Sequence, residues 1–140
     1  MKIIITGGVG FIGSHVANFL QKQGHEVLII DDLSGSFKEN IPANCQFAQI
    51  SISDNDIEQL FINFEPDIVY HLAAYAAEGL SHHIPVFNYS NNILGTVKVL
   101  NAAYKAKCKH FVFTSSIAVY GHPNSEHLFD ELTYCDPCDP

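Results

Sequence analysis

Ile3-Ile4-Ile5-Thr6-Gly7-Gly8-Val9-Gly10-Phe11-Ile12-Gly13-Ser14-His15 decides how the rest of the chain is read. A β-branched run enters it and a segment of helical period leaves it. Gly7, Gly10 and Gly13 follow the spacing G-x-x-G-x-x-G, not the G-x-G-x-x-G of the dehydrogenase fingerprint, yet the same physical tasks apply. One glycine permits the tight strand-to-helix turn, one lets backbone approach a pyrophosphate, and one lets helix and sheet pack closely. The helix N-terminus adds unpaired N–H groups and a partial positive charge. A glycine triplet alone is weak, because loops are glycine-rich for many reasons. Between a strand and a helix it points to a dinucleotide site.

Outward from that turn, Lys2 to Thr6 is expected as a strand and Phe11 to Lys22 as a helix with Ile12, Val16, Phe19 and Leu20 on one stripe. Gly24 stops the helix and Glu26 to Ile30 is a continuous apolar strand of the kind buried on both faces. Asp31 and Asp32 follow at its carboxyl end. Asp31 lies 24 residues beyond Gly7, the distance at which a carboxylate accepts both hydroxyl hydrogens of an adenosine ribose and repels an added phosphate. Asp32 suits a turn. Cys45 to Ile52 is the third expected strand, and Ile57, Leu60, Phe61 and Phe64 form the buried stripe of a second helix. Ile68 to Leu72 is the fourth strand, and the small residues of Ala73-Ala74-Tyr75-Ala76-Ala77 would let a ligand lie against backbone.

A long helix is expected from about Pro85 to Lys107, with Tyr89, Ile93, Thr96, Val97, Leu100 and Tyr104 at helical spacing. Gly95 inside it should cost about 1 kcal/mol relative to Ala, so a close contact with sheet or ligand is expected there. His110 to Thr114 is the fifth strand, ending at Ser115-Ser116, and no clear element follows Gly121. Alternating strands and helices predict an α/β fold, a Rossmann-type doubly wound, mostly parallel sheet of order 3-2-1-4-5. Residues 1–121 would form the nucleotide-binding domain and 122–140 a loop or tail.

Composition narrows the function classes. The 140 residues carry a formal charge of −8, with seven Lys and no Arg, which argues against a nucleic-acid partner. No apolar run approaches the ~20 residues that span a bilayer, so no membrane is expected and the cytoplasm is the default. Cys45, Cys108, Cys135 and Cys138 are expected as free thiols. Cys135-x-x-Cys138 lacks the second ligand pair of a structural zinc site and lies in a Pro-rich tail. His82-His83 suits a solvated surface and His71 a satisfied structural histidine, so no metal site is expected. Ser116 lacks the G-x-S-x-G elbow of a hydrolase.

Four segments in order resemble the extended short-chain dehydrogenases/reductases, in their NAD-dependent nucleotide-sugar epimerase/dehydratase group. They are Thr6-Gly-Gly-Val-Gly-Phe-Ile-Gly-Ser-His15, Asp31-Asp-Leu-Ser34, His71-Leu-Ala-Ala74 and Thr114-Ser-Ser-Ile-Ala-Val-Tyr-Gly121, with Asn92-Ile-Leu-Gly-Thr96 a weaker fifth. The UDP-glucose 4-epimerase-like branch is the nearest in flavour. The resemblance implies NAD along the carboxyl ends of the strands and a nucleotide-sugar substrate in the full-length enzyme. It places Gly7, Gly10, Phe11, Ile12 and Gly13 at the pyrophosphate, and Asp31, Asp32 and Ser34 at the adenosine ribose. Leu72, Ala73 and Ala74 would run beside the nicotinamide, Asn92 would anchor the helix near the cofactor, and Ser115 would lie by it. Ser116 matches the Ser/Thr that hydrogen-bonds the reacting hydroxyl.

Departures are visible too. Ser51-Ile52 stands where the family often has Asp-Ile near the adenine, and Ala76 where some epimerases carry a lysine. The family's Tyr-x-x-x-Lys, whose tyrosine is the catalytic base, is absent from the 140 residues. The chain is therefore expected to be the N-terminal cofactor half of a longer enzyme, incomplete relative to the family and inactive alone. A non-catalytic NAD-binding module and a truncated, inactive product are the alternatives. Family members are usually homodimers.

Overall fold

The computed structural model describes residues 1–121 and 128–137. Five parallel strands form one sheet in the order β3-β2-β1-β4-β5, as the alternation predicts. They are β1 Lys2–Thr6, β2 Glu26–Asp31, β3 Gln46–Gln49, β4 Ile68–His71 and β5 His110–Phe113. The isoleucines of β1 sit fully buried at the centre, in register with Val27 to Ile29 on one side and Ile68 to Tyr70 on the other. β-branched side chains suit that position because both faces of a central parallel strand are covered. β3 is shorter than the Cys45 to Ile52 expected, and its continuation is still tied to β2 by Ile50 N–H donating to Asp31 C=O at 3.2 Å.

Helices cover the two faces unequally. α2 (Ile57–Phe64) and α5 (Gly95–Lys105) bury Ile57, Phe61, Phe64, Val99, Ala102 and Ala103 over Ile4, Leu28, Ile30 and Val69. α1 (Phe11–Lys22) covers the other face over Ile3, Ile5, Val27 and Ile29, and its fully buried apolar side chain is Ala17. The large-residue stripe expected on α1 is corrected in part. Val16 and Leu20 pack against the core, but Ile12 and Phe19 are about 60% exposed. Gly13 and Ala17 are the buried pair because residues without bulk bring the helix axis closest to the sheet.

The expected long helix is also interrupted in register. It comprises α4 (Pro85–Asn88), a π-helical segment Tyr89–Leu94, and α5. Tyr89, Ile93, Val97, Leu100 and Tyr104 face outward, whereas Gly95, Val99, Ala102 and Ala103 face the core. Gly95 has the close contact its position called for. A Cβ there would lie 2.7 Å from the Ile52 side chain, so its protein neighbour is the loop after β3 rather than the sheet. A short helix α3 (Glu78–Ser81) precedes α4. Part of the 122–140 tail, Cys138 included, lies outside the described residues; Cys45, Cys108 and Cys135 are free thiols. No helix among the described residues is long and apolar enough to cross a membrane.

Candidate functional site

β1 is flanked by β2 and β4, so successive crossovers leave it in opposite directions and a crevice opens at the carboxyl ends of the strands. A cleft of about 400 Å³ lies there. Three strand ends supply its walls: Gly7 and Gly10 after β1, Ile30 to Ser36 around the end of β2, and Leu72 to Ala77 after β4. Ile50 and Ile52 close one end, while Phe87 and Asn91 close another.

The glycine turn is built by close backbone contact. Gly7 holds φ +67°, and a Cβ on it would stand 2.7 Å from Ala73 N, so it permits β1's exit to touch β4's exit. Gly13 is more constrained still, since a Cβ would lie 2.1 Å from Gly7 O. Gly7 C=O accepts from Gly10 N–H at 3.2 Å, and Gly10 C=O starts the helix by accepting from Ser14 N–H at 2.9 Å. No side chain among the described residues caps α1, and its first turn holds no acidic residue. The amides of Phe11, Ile12 and Gly13 therefore stay available to an anion.

Asp31 organises the second wall. One carboxylate oxygen accepts from Val9 N–H at 3.0 Å, the other from Leu33 N–H and from the Ser36 hydroxyl, both at 2.9 Å. A carboxylate has about four lone-pair positions, so capacity remains for a ligand hydroxyl. Asp32 accepts from Ser34 N–H at 2.8 Å, the turn role expected of it. Leu33 takes φ +63° within that turn. Asn40 donates to Val9 C=O at 3.3 Å, joining the following loop to the glycine turn.

Behind the third wall sits His71, 2% exposed. Its Nδ1 lies 2.7 Å from Thr6 Oγ1 and its Nε2 2.9 Å from Thr96 Oγ1, as suits a satisfied structural histidine. Burial among such neighbours depresses its pKa to about 4, which keeps the ring neutral. Asn92 clamps the wall directly: it accepts from Tyr75 N–H at 2.8 Å and donates to Tyr75 C=O at 3.0 Å.

Of the residues singled out in the sequence, Gly7, Gly10, Asp31, Asp32, Ser34, Ile52, Leu72, Ala73 and Ala74 line the cleft. Gly13 and Asn92 support it from behind. Phe11 and Ile12 turn their side chains to solvent and can contribute only backbone. Ser51 Oγ accepts from Ser53 N–H at 3.2 Å in the loop beside Ile52. Ser115 and Ser116 are exposed beyond β5, and Ser116 Oγ accepts from Ala118 N–H at 3.1 Å. Tyr75, from the run of small residues after β4, lines the cleft too, as do Ser36, Phe87 and Asn91, which were not singled out. No linear signal marks Phe87, which meets the Tyr75 ring edge-on at 5.1 Å. Among the described residues no cluster of His, Cys, Asp and Glu could hold a metal ion.

Comparison with known proteins agrees with this geometry. The NAD dependent epimerase/dehydratase family matches residues 3–140. A UDP-glucose 4-epimerase of Lactobacillus helveticus is 34% identical, covering all of this chain and 42% of its own length. A putative UDP-glucose 4-epimerase of Methanocaldococcus jannaschii is 39% identical over 87% of this chain and 40% of its own length. The crystal structure of the Thermus thermophilus UDP-glucose 4-epimerase in complex with NAD matches with a TM-score of 0.93 at 33% identity, covering 99% of this chain and 45% of that one. The Thermotoga maritima UDP-glucose 4-epimerase with UDP-glucose gives 0.94 at 35% identity, covering 99% and 46%. The chain spans 40–46% of the length of these relatives.

Proposed function

The chain belongs to the NAD dependent epimerase/dehydratase family, and from that membership we propose that it is the NAD-binding portion of a nucleotide-sugar epimerase of the UDP-glucose 4-epimerase type. The observation that carries the proposal is the Asp31 carboxylate standing in the same cleft as Gly7 and Gly10. The residues fit NAD. Gly7 and Gly10 present bare backbone, the first-turn amides of α1 offer donors to a pyrophosphate, and Asp31 offers an acceptor to ribose hydroxyls. NAD held there would supply reversible hydride transfer at a sugar carbon.

The chain's own residues bind and orient. Asp31, with Asp32 and Ser34 beside it, holds the adenosine ribose and disfavours a 2′-phosphate. Ile52 packs by the adenine and Ser51 offers it a hydroxyl. Leu72, Ala73 and Ala74 run their backbone along the nicotinamide side, and Asn92 fixes that wall. Ser116 hydrogen-bonds the sugar hydroxyl that loses its proton. The Tyr-x-x-x-Lys that would remove that proton is not among these 140 residues, and no turnover is expected of them alone.

Titration calorimetry tests the binding role. The chain should bind NAD and discriminate against NADP. Asp31→Asn should weaken NAD by ten- to a hundredfold, about 1.5–3 kcal/mol for hydrogen bonds to a charged acceptor. Unchanged NAD affinity in a folded Asp31→Asn protein would sink the assignment. Detectable turnover of UDP-glucose by the 140 residues would overturn the account of the missing base.

The outward stripe Tyr89, Ile93, Val97, Leu100 and Tyr104 is about half exposed or more along its length. Contiguous apolar residues on a helix face mark a protein contact, so a homodimer through this face is part of the proposal. Sedimentation should show a dimer, converted to monomer by Ile93→Glu combined with Leu100→Glu. A dimer that survives both changes would place the contact elsewhere.

A further inference from the structure

His71 is not used by the binding scheme above, yet its hydrogen bonds run in one direction only. Thr96 Oγ1 lies 2.5 Å from Asn92 C=O, and a carbonyl can only accept, so the single Thr96 hydroxyl hydrogen is committed there. Thr96 Oγ1 must then accept from His71, which places the ring proton on Nε2. A neutral ring with Nε2–H leaves Nδ1 as an acceptor, so Thr6 Oγ1 donates to it. Thr6 Oγ1 in turn accepts from Ala73 N–H at 3.3 Å. The tautomer is thus fixed by its neighbours' donor count.

Both ends of this chain return to the same wall of the cleft. It begins at Ala73 N–H and ends at Asn92, whose side chain holds the N–H and C=O of Tyr75. Asn92 also donates to the buried Asn88 at 2.7 Å and belongs to the π-helical segment, a helix distortion frequent at functional sites. Phe111 and Phe113 flank the imidazole at 5.9 Å between ring centroids and leave it little room to turn. An apolar residue at this position would fill the volume but break the circuit and leave the Thr6 hydroxyl hydrogen without its acceptor.

We propose that His71 is a positioning residue for the cleft: as the Nε2–H tautomer it carries a directed chain of hydrogen bonds from Ala73 through Thr6, His71 and Thr96 to the backbone carbonyl of Asn92, the residue whose side chain clamps Tyr75, and this circuit sets where the wall of residues 73–75 stands. Its effect on cofactor rests on the NAD assignment; the circuit itself does not. A histidine that merely filled the core would affect stability without affecting binding by folded molecules.

Nitrogen NMR of the wild-type ring and calorimetry on variants test the two parts separately. The ring should show a protonated-type Nε2 and an acceptor-type Nδ1, and the reverse assignment overturns the circuit. His71→Leu, measured where it remains folded, should bind NAD about tenfold more weakly and exchange the Ala73 and Tyr75 amides faster. His71→Gln, which retains a donor and an acceptor, should recover most of both effects. Equal NAD affinity for folded His71→Leu and wild type would overturn the positioning role. If His71→Leu does not fold, Thr96→Val takes its place, with the same two outcomes. If wild type itself binds no NAD, the cofactor assignment fails, and the ring shifts and amide exchange still decide the circuit.

Discussion

Gly13→Ala should abolish measurable NAD binding, a loss of a hundredfold or more, and lower stability by ~3 kcal/mol. The added methyl would stand 2.1 Å from Gly7 O, 2.7 Å from Gly8 Cα and 2.9 Å from Gly7 C. All three are backbone atoms, so no side chain can rotate away. The turn and the first turn of α1 must separate, and that displaces Gly7 and Gly10, which line the cleft. Gly24→Ala is the matched control. Gly24 has φ +82° but nothing within 4 Å of its Cβ position, so it carries strain of ~1 kcal/mol without a clash and should leave NAD affinity unchanged. Calorimetry and urea unfolding of the two variants separate the effects. Wild-type affinity in Gly13→Ala would mean that the turn does not contact the ligand.

Acid should destabilise the fold through His71. Its ordinary pKa of 6.5 falls to about 4 in the folded chain because burial penalises the cation. Between those values the unfolded chain binds the extra proton, so stability is full above pH 6.5 and is lost as pH falls toward 4. The groups facing the ring are the hydroxyls of Thr6 and Thr96 and the rings of Phe111 and Phe113, none of which supplies a compensating charge. The expected loss between pH 7 and pH 4.5 is ~2 kcal/mol, a large share of the 5–15 kcal/mol that holds a typical domain. Asp67 is paired with Lys109 at 2.7 Å, and that bond lowers its pKa from the ordinary carboxylate value, away from this window. Urea unfolding at both pH values should show the loss in wild type and little of it in His71→Gln. An equal loss in both proteins would assign the acid sensitivity to other groups.

The small-residue faces of α1 and α5 show where sequence pattern and structure part company. Counting large apolar residues selects Ile12 and Phe19 on α1, and Tyr89, Ile93 and Leu100 further on, as the conspicuous stripes. The sheet instead receives Gly13 and Ala17 from α1, and Val99, Ala102 and Ala103 from α5, while Gly95 packs on Ile52 in the loop after β3. Hydrophobic periodicity weighs side-chain size, whereas close helix–sheet packing favours its absence. α2 has no such conflict: Ile57, Phe61 and Phe64 are both large and buried.

By itself the sequence determined the alternation of strand and helix, the strand order, the glycine turn with its close backbone approach, and a carboxylate at the end of β2. Each is local: a run of β-branched residues, a spacing of glycines, an acid directly after a strand. Only the tertiary structure decided which helix faces are buried, the π-helical register around Asn92, the admission of Phe87 and Asn91 to the cleft, and the proton position on His71. Those depend on groups that meet only after three crossovers have brought Thr6, His71 and Thr96 together, and chain spacing carries no record of that meeting.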